Sequence, residues 1–138
     1  MSSVSGSDSF DFDAAARFLE EREAVRRTRR RELYERAAAD CKRIVAMIAD
    51  EFRPRRVYQW GTLLDPDRFD ESSDIDIAVE GLPGARAFFD LHGRAMAMTD
   101  FSLDLIELER AESVYRRSIV ERGKVVYERE EPAPSPAG

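Results

Sequence analysis

Between Val57 and Val79 the chain switches pattern in a way that few folds accommodate. The run Val57-Tyr58-Gln59-Trp60 stops at Gly61-Thr62, a polar loop follows, and Ser73-Asp74-Ile75-Asp76-Ile77-Ala78-Val79 then resumes as a strand. Residues i and i+2 of a strand project to the same side. Asp74 and Asp76 therefore share one face, while Ile75, Ile77 and Val79 share the other. The apolar side needs a packed layer beneath it. Two carboxylates side by side repel, and a cation normally compensates. With oxygen ligands only, a hard divalent ion such as Mg2+ is the natural candidate.

At 138 residues the chain suits one domain with one modest core. A formal net charge of -6 argues against a protein that coats nucleic acid. Cys41 is the only cysteine and His92 the only histidine, which excludes an intrachain disulfide, a cysteine-based zinc site and a multi-histidine centre within one chain. No apolar segment approaches membrane-spanning length, and Met1 to Ser9 lacks a signal-peptide core, so a cytoplasmic protein is expected.

Residues 1–9 are serine-rich and are expected to be disordered, as is the proline-rich tail 131–138. Residues 10–53 form an N-terminal helical region. Leu33, Ala37, Cys41, Ile44, Ile48 and Phe52 recur at spacings of three and four, with Asp11 or Asp13 as the expected cap and Pro54 as the stop. The Arg/Glu-rich part, 20–36, reads as a separate helix or as an extension. Residues 54–130 form the core: strands at Val57–Trp60, Ile75–Val79 and Phe101–Leu108, helices at Ala85–Met98 and Glu112–Glu121, and a short edge strand at Lys124–Tyr127. This order predicts an α/β (α+β) domain, a small mixed sheet backed by helices on one face.

Asp104 lies on the polar side of the third predicted strand, whereas Glu107 points the other way. If that strand neighbours the one with Asp74 and Asp76, three carboxylates converge at one end of the sheet. Such a set can hold one or two Mg2+ ions that clamp a triphosphate, with a carboxylate assisting deprotonation of an attacking hydroxyl. Gly61 permits close approach of backbone to a phosphate, and the hydroxyls of Thr62 and Ser73 can donate to it.

Gly-Thr, a loop, Ser-Asp-Ile-Asp and a later Leu-Asp-Leu together resemble the minimal nucleotidyltransferases of the polymerase beta superfamily. The similarity runs from Val57 to Tyr127. It implies a polymerase-beta-type fold and transfer of AMP from ATP. Asp74, Asp76 and Asp104 would be the metal-binding and catalytic residues, and Gly61, Thr62 and Ser73 the nucleotide-binding ones. It also implies the antitoxin half of a HEPN/MNT toxin–antitoxin pair, with a helical HEPN-type ribonuclease toxin as partner, silenced by binding or by adenylylation of a tyrosine. Two departures stand out: Thr62 replaces the usual serine, and the loop 63–73 is long and carries Asp65, Asp67, Asp70 and Glu71 against Arg68 alone.

Three functions compete. The first is a Mg-dependent nucleotidyltransferase acting on a partner's hydroxyl. The second is a largely non-catalytic antitoxin that binds its toxin directly, alone or in a larger oligomer. The third is an RNA or small-molecule nucleotidyltransferase, for which little length remains. The run Arg26-Arg27-Thr28-Arg29-Arg30-Arg31 can contact RNA or an acidic partner, but its interleaved glutamates suit a solvated helix equally, and nucleic acid is not the expected partner. Trp60 is expected in the core or a pocket wall, Cys41 in the core, and His92 in no special role.

Overall fold

A computed structural model of the chain describes residues 3–130. Of the expected irregular ends, residues 1–2 and 131–138 lie outside the described residues. The first helix, α1, runs from Ser3 to Glu51 without a break, a length of about 73 Å at the usual rise. No proline or glycine interrupts it between Phe10 and Arg53, and its Glu, Arg, Ala and Leu content favours continuation. Of the two readings of residues 20–36, the extension holds, since they are part of α1. Two expectations are corrected. The stretch from Ser3 to Ser9 is helical, because adding turns to an existing helix costs far less than starting one. Asp11 and Asp13 are consequently interior positions and cap nothing. At the other end Phe52 and Arg53 both donate their N–H to the Ile48 carbonyl at 3.0 Å, Arg53 takes a φ of 48°, and Pro54 forbids a further turn.

The sheet contains β1 (Arg56–Trp60), β2 (Ile75–Glu80), β3 (Leu103–Glu107) and β4 (Lys124–Glu128), in the spatial order β3-β2-β1-β4. β1 is antiparallel to both β2 and β4. β2 and β3 are parallel, joined through helix α2 (Ala85–Met96). The sheet is therefore mixed. A turn of 3-10 helix, Gly61–Leu64, follows β1, and α3 (Ser113–Arg122) precedes β4.

Alternation along the strands builds two layers. Val57, Ile75, Ile77, Val79 and Leu105 face α1 and α2, where Ala37, Cys41, Ile44, Ile48, Leu91 and Ala95 complete the main core. Burial of each larger aliphatic side chain there contributes about 1.5–3 kcal/mol. Tyr58 and Ala78 face the opposite way and meet Leu108 and Ile119, with Trp60 and Ile106 at the margin. Helices on one face alone were expected; α3 covers part of the second. Its single buried residue, Ile119, was too little periodic signal to assign the helix to a face.

Candidate functional site

The second face of the sheet carries its charge at one end. The antiparallel register sets Trp60 opposite Asp76, and the parallel register sets Asp76 opposite Asp104. These three residues form one row across β1, β2 and β3. Asp74 enters from the loop just before β2. Glu107, by contrast, occupies the other parity and approaches Arg110 at 3.8 Å.

Asp76 is buried, with 9% of its surface exposed. Burial first, then the charges of Asp104 and Asp74 and a side-chain hydrogen bond with Asp104, push its carboxyl up to about 7. Asp104 itself is exposed and Asp74 is partly buried, so both are reachable from solvent. Among the described residues no group of three His, Cys, Asp or Glu side chains forms a preformed metal cage. The donor chemistry still fits a hard divalent ion: three carboxylates, one of them held against its neighbour's charge in a poorly hydrated position.

Gly61 adjoins this row in a specific way. Its φ is 79°, and a Cβ at this position would overlap Asp76 Oδ2 and lie 2.8 Å from Asp76 Cγ. The glycine thus gives the Asp76 carboxyl its room as well as turning the chain out of β1. Sequence reasoning assigned it to phosphate approach; the neighbour it accommodates is the acid. Thr62 lies in the 3-10 turn, partly buried, and its carbonyl accepts from the Asp65 N–H at 2.9 Å.

Ser73 is committed within the loop. Its hydroxyl accepts from the Asp70 N–H at 3.0 Å and lies 3.4 Å from Asp70 Oδ1. Ser72 donates to the same oxygen through its N–H at 2.9 Å and its hydroxyl at 2.7 Å. Those bonds, chiefly from Ser72 and helped by the charge of Arg30, hold the Asp70 carboxyl below the usual carboxylate range. The loop is also tethered from within. Phe69 is fully buried and meets Tyr34 of α1 and Phe101 edge-on, at centroid distances of 6.1 and 6.3 Å.

Two things escaped the sequence reading. Phe69 looked like one more residue of an acidic loop, with no periodicity to mark it as an anchor. The arginine run was weighed apart from that loop, yet Arg27, Arg30 and Arg31 of α1 face Pro66 and Asp67 across a cleft of about 630 Å³. The acidic loop thus has cationic neighbours supplied by α1. Trp60 forms a wall beside the carboxylates: its ring meets Tyr115 of α3 edge-on at 5.4 Å, and its Nε1 is buried without a hydrogen-bond partner among the described residues.

An Asp-X-Asp at the start of a strand, a third acid on the parallel neighbour and a glycine turn beside them describe a nucleotidyltransferase type of domain. The family model described as "Polymerase beta, Nucleotidyltransferase" matches residues 42–132. The chain belongs to that family. No curated protein gave a significant match. Among solved structures, a toxin–antitoxin crystal structure with AMP-PNP aligns with a TM-score of 0.54 at 24% identity, over 64% of this chain and 73% of that one. The complex of a tri-AMPylated Shewanella oneidensis HEPN toxin with MNT antitoxin aligns with a TM-score of 0.51 at 23% identity, over 67% and 72% of the two chains. An MntA–HepT toxin–antitoxin crystal structure gives 0.50 at 23% identity, over 66% and 72%. Identities this low speak to the fold, and they agree on a polymerase-beta-type one.

Proposed function

We propose that the protein transfers AMP from ATP to a hydroxyl group, a tyrosine of a HEPN-type toxin, with the bond between the α- and β-phosphates broken and pyrophosphate leaving, and so acts as an antitoxin. The observation that carries this reading is the row Trp60–Asp76–Asp104 with Asp74 beside it, held open by Gly61. The structural neighbours that hold AMP-PNP or an AMPylated toxin support the choice of nucleotide and partner.

Asp74, Asp76 and Asp104 are the residues that would hold Mg2+, which when bound would neutralise phosphate oxygens and relieve the repulsion among the acids. Thr62, on the turn that leaves β1, offers its hydroxyl to the triphosphate, and Gly61 keeps that turn clear of side chains. Ser73 acts on the nucleotide only if its contact with Asp70 is exchanged. Asp104, the exposed member of the row, would accept the proton of the incoming hydroxyl. Trp60 and Tyr115 wall the same face and limit water.

The test is incubation of the protein with labelled ATP, Mg2+ and a co-expressed candidate toxin, read by intact mass. One or more added AMP masses on the toxin are expected with the native chain and none with Asp74→Asn plus Asp76→Asn. Transfer that continues in the double variant sinks the site. Asp104→Asn is expected to slow transfer about 10²–10⁴-fold, the usual worth of a positioned base. A second reading, inhibition by binding alone, draws on the four acids of the loop 63–73. It predicts that the double variant still silences the toxin without ATP.

A further inference from the structure

Strand β3 ends the sheet on one side, with β2 as its only strand neighbour among the described residues. The Ile75 N–H donates to the Ser102 carbonyl at 2.8 Å, and the parallel register continues with Ile75 opposite Leu103. In a parallel ladder alternate residues turn their backbone groups toward one neighbour and the rest turn theirs away. Asp104 and Ile106 therefore bond to β2, while the N–H and C=O of Leu103 and Leu105 point out of the sheet. No strand among the described residues takes them up.

A cleft of about 580 Å³ runs past this open edge. Phe88 of α2 and Leu105 line it from the main-core side, and Ile106 and Tyr115 from the face that carries Asp76 and Asp104. Because β3 is the last strand, a cleft touched from both sides of the sheet has that strand's edge as its floor. The rim holds Glu107 and Glu112 against Arg110. Arg110 lies 3.8 Å from Glu107, and Glu112 has no ion pair among the described residues. The walls are thus apolar and aromatic, the floor is unpaired backbone, and the rim carries more acid than base.

We infer that this cleft is the acceptor subsite: an extended, basic segment of the acceptor protein adds to the open edge of β3, with its hydroxyl residue opposite Asp104. The inference rests on the proposed transfer reaction, in which Thr62, on the turn after β1, takes the triphosphate. In-line displacement brings the attacking oxygen to the α-phosphorus from the side opposite the departing pyrophosphate. The end of the acid row away from Thr62 is Asp104, beside the open edge. The hydroxyl oxygen bonds to the α-phosphorus as the bond to the pyrophosphate oxygen breaks, and the hydroxyl proton passes to Asp104. Residues opposite each other on neighbouring strands point to the same face. The residue two places from the acceptor then stands opposite Ile106, against Tyr115, and the one between them lies opposite Leu105, toward Phe88. Backbone hydrogen bonds supply affinity, the two apolar seats fix the register, and Glu112 selects a basic neighbour over an acidic one.

Steady-state AMP transfer from labelled ATP to the co-expressed candidate toxin, with each substrate varied in turn, tests the assignment. Ala111→Trp fills the cleft and Glu112→Arg reverses the charge at its rim. Each should raise the KM for the toxin about tenfold or more, while the KM for ATP stays within about twofold. Hydrogen exchange of the full chain gives a readout apart from turnover. The Leu103 and Leu105 amides should exchange rapidly in the chain alone and slow about tenfold or more when the toxin is added. A toxin KM unmoved by Ala111→Trp or by Glu112→Arg overturns the subsite, and so does a KM for ATP that rises in step with it. Unchanged exchange at both amides overturns it as well. A native chain that transfers no AMP overturns the transfer reading and the subsite with it, whereas the other outcomes leave transfer itself standing.

Discussion

Asp76 carries the tightest set of constraints on any side chain here. It is buried, it faces two other carboxylates, and its oxygen occupies the space that a side chain at position 61 would need. Its folded-state pKa of about 7 lies above the ordinary 3.8. The protonated form therefore favours the fold, and that stability is complete below about 4 and lost as pH rises through about 7. Urea unfolding of the metal-free protein is expected to show a loss of roughly 2–4 kcal/mol across this window, flattened in Asp76→Asn. Added Mg2+ should recover stability on the alkaline side if the acids bind it. Gly61→Ala should destabilise by about 1–3 kcal/mol and lower transfer, since it adds a Cβ where φ is positive and the acid already sits; denaturation curves and the labelled-ATP assay check both. Alternation alone put Asp74 and Asp76 on one strand face, but β2 begins at Ile75 and Asp74 reaches Asp76 from the loop before it. The partner of Gly61 was not legible, because the contact joins two strands across a turn whose path no local pattern specifies.

The loop from Gly61 to Asp74 is an element in its own right, although composition made it look like solvated connection. One aromatic residue, Phe69, fastens it between Tyr34 and Phe101. Phe69→Ala is expected to cost about 3–5 kcal/mol and to raise the KM for ATP more than it lowers kcat, because the loop would lose its seat while the acids on β2 and β3 keep theirs. Chemical denaturation and steady-state transfer kinetics separate the two effects. The strands themselves were readable: β1, β2 and β4 lie within a residue of their expected bounds, and β3 lies inside its predicted span. What no single segment revealed was register. That Asp76 stands opposite Asp104 depends on how α2 carries the chain from β2 to β3, a tertiary matter. The side chosen by α3 was equally hidden, since Ile119 alone is buried on it.

Across the molecule, α1 does two jobs in one uninterrupted piece. From Leu33 onward it is a wall of the core, and residues 11–29 are exposed. Removing residues 1–28 should leave the thermal midpoint within a few degrees of the native value, because every side chain from 11 to 28 is exposed; calorimetry checks this. A fall of more than ten or so degrees would show that the arm supports the domain in solution. The fusion of wall and arm was half visible beforehand: no Gly or Pro separates them, yet the change from apolar stripe to Arg/Glu composition suggested a boundary. Composition changed there while the backbone did not. That continuity has a mechanical meaning. Beneath the row of acids, Ile75 and Ile77 of β2 share a core with Cys41 and Ile44 of α1, and no joint intervenes between that contact and the exposed end of the helix. A load applied at Phe12 is delivered by a stiff beam to the underside of the strand that holds Asp76, with no slack linker to absorb it.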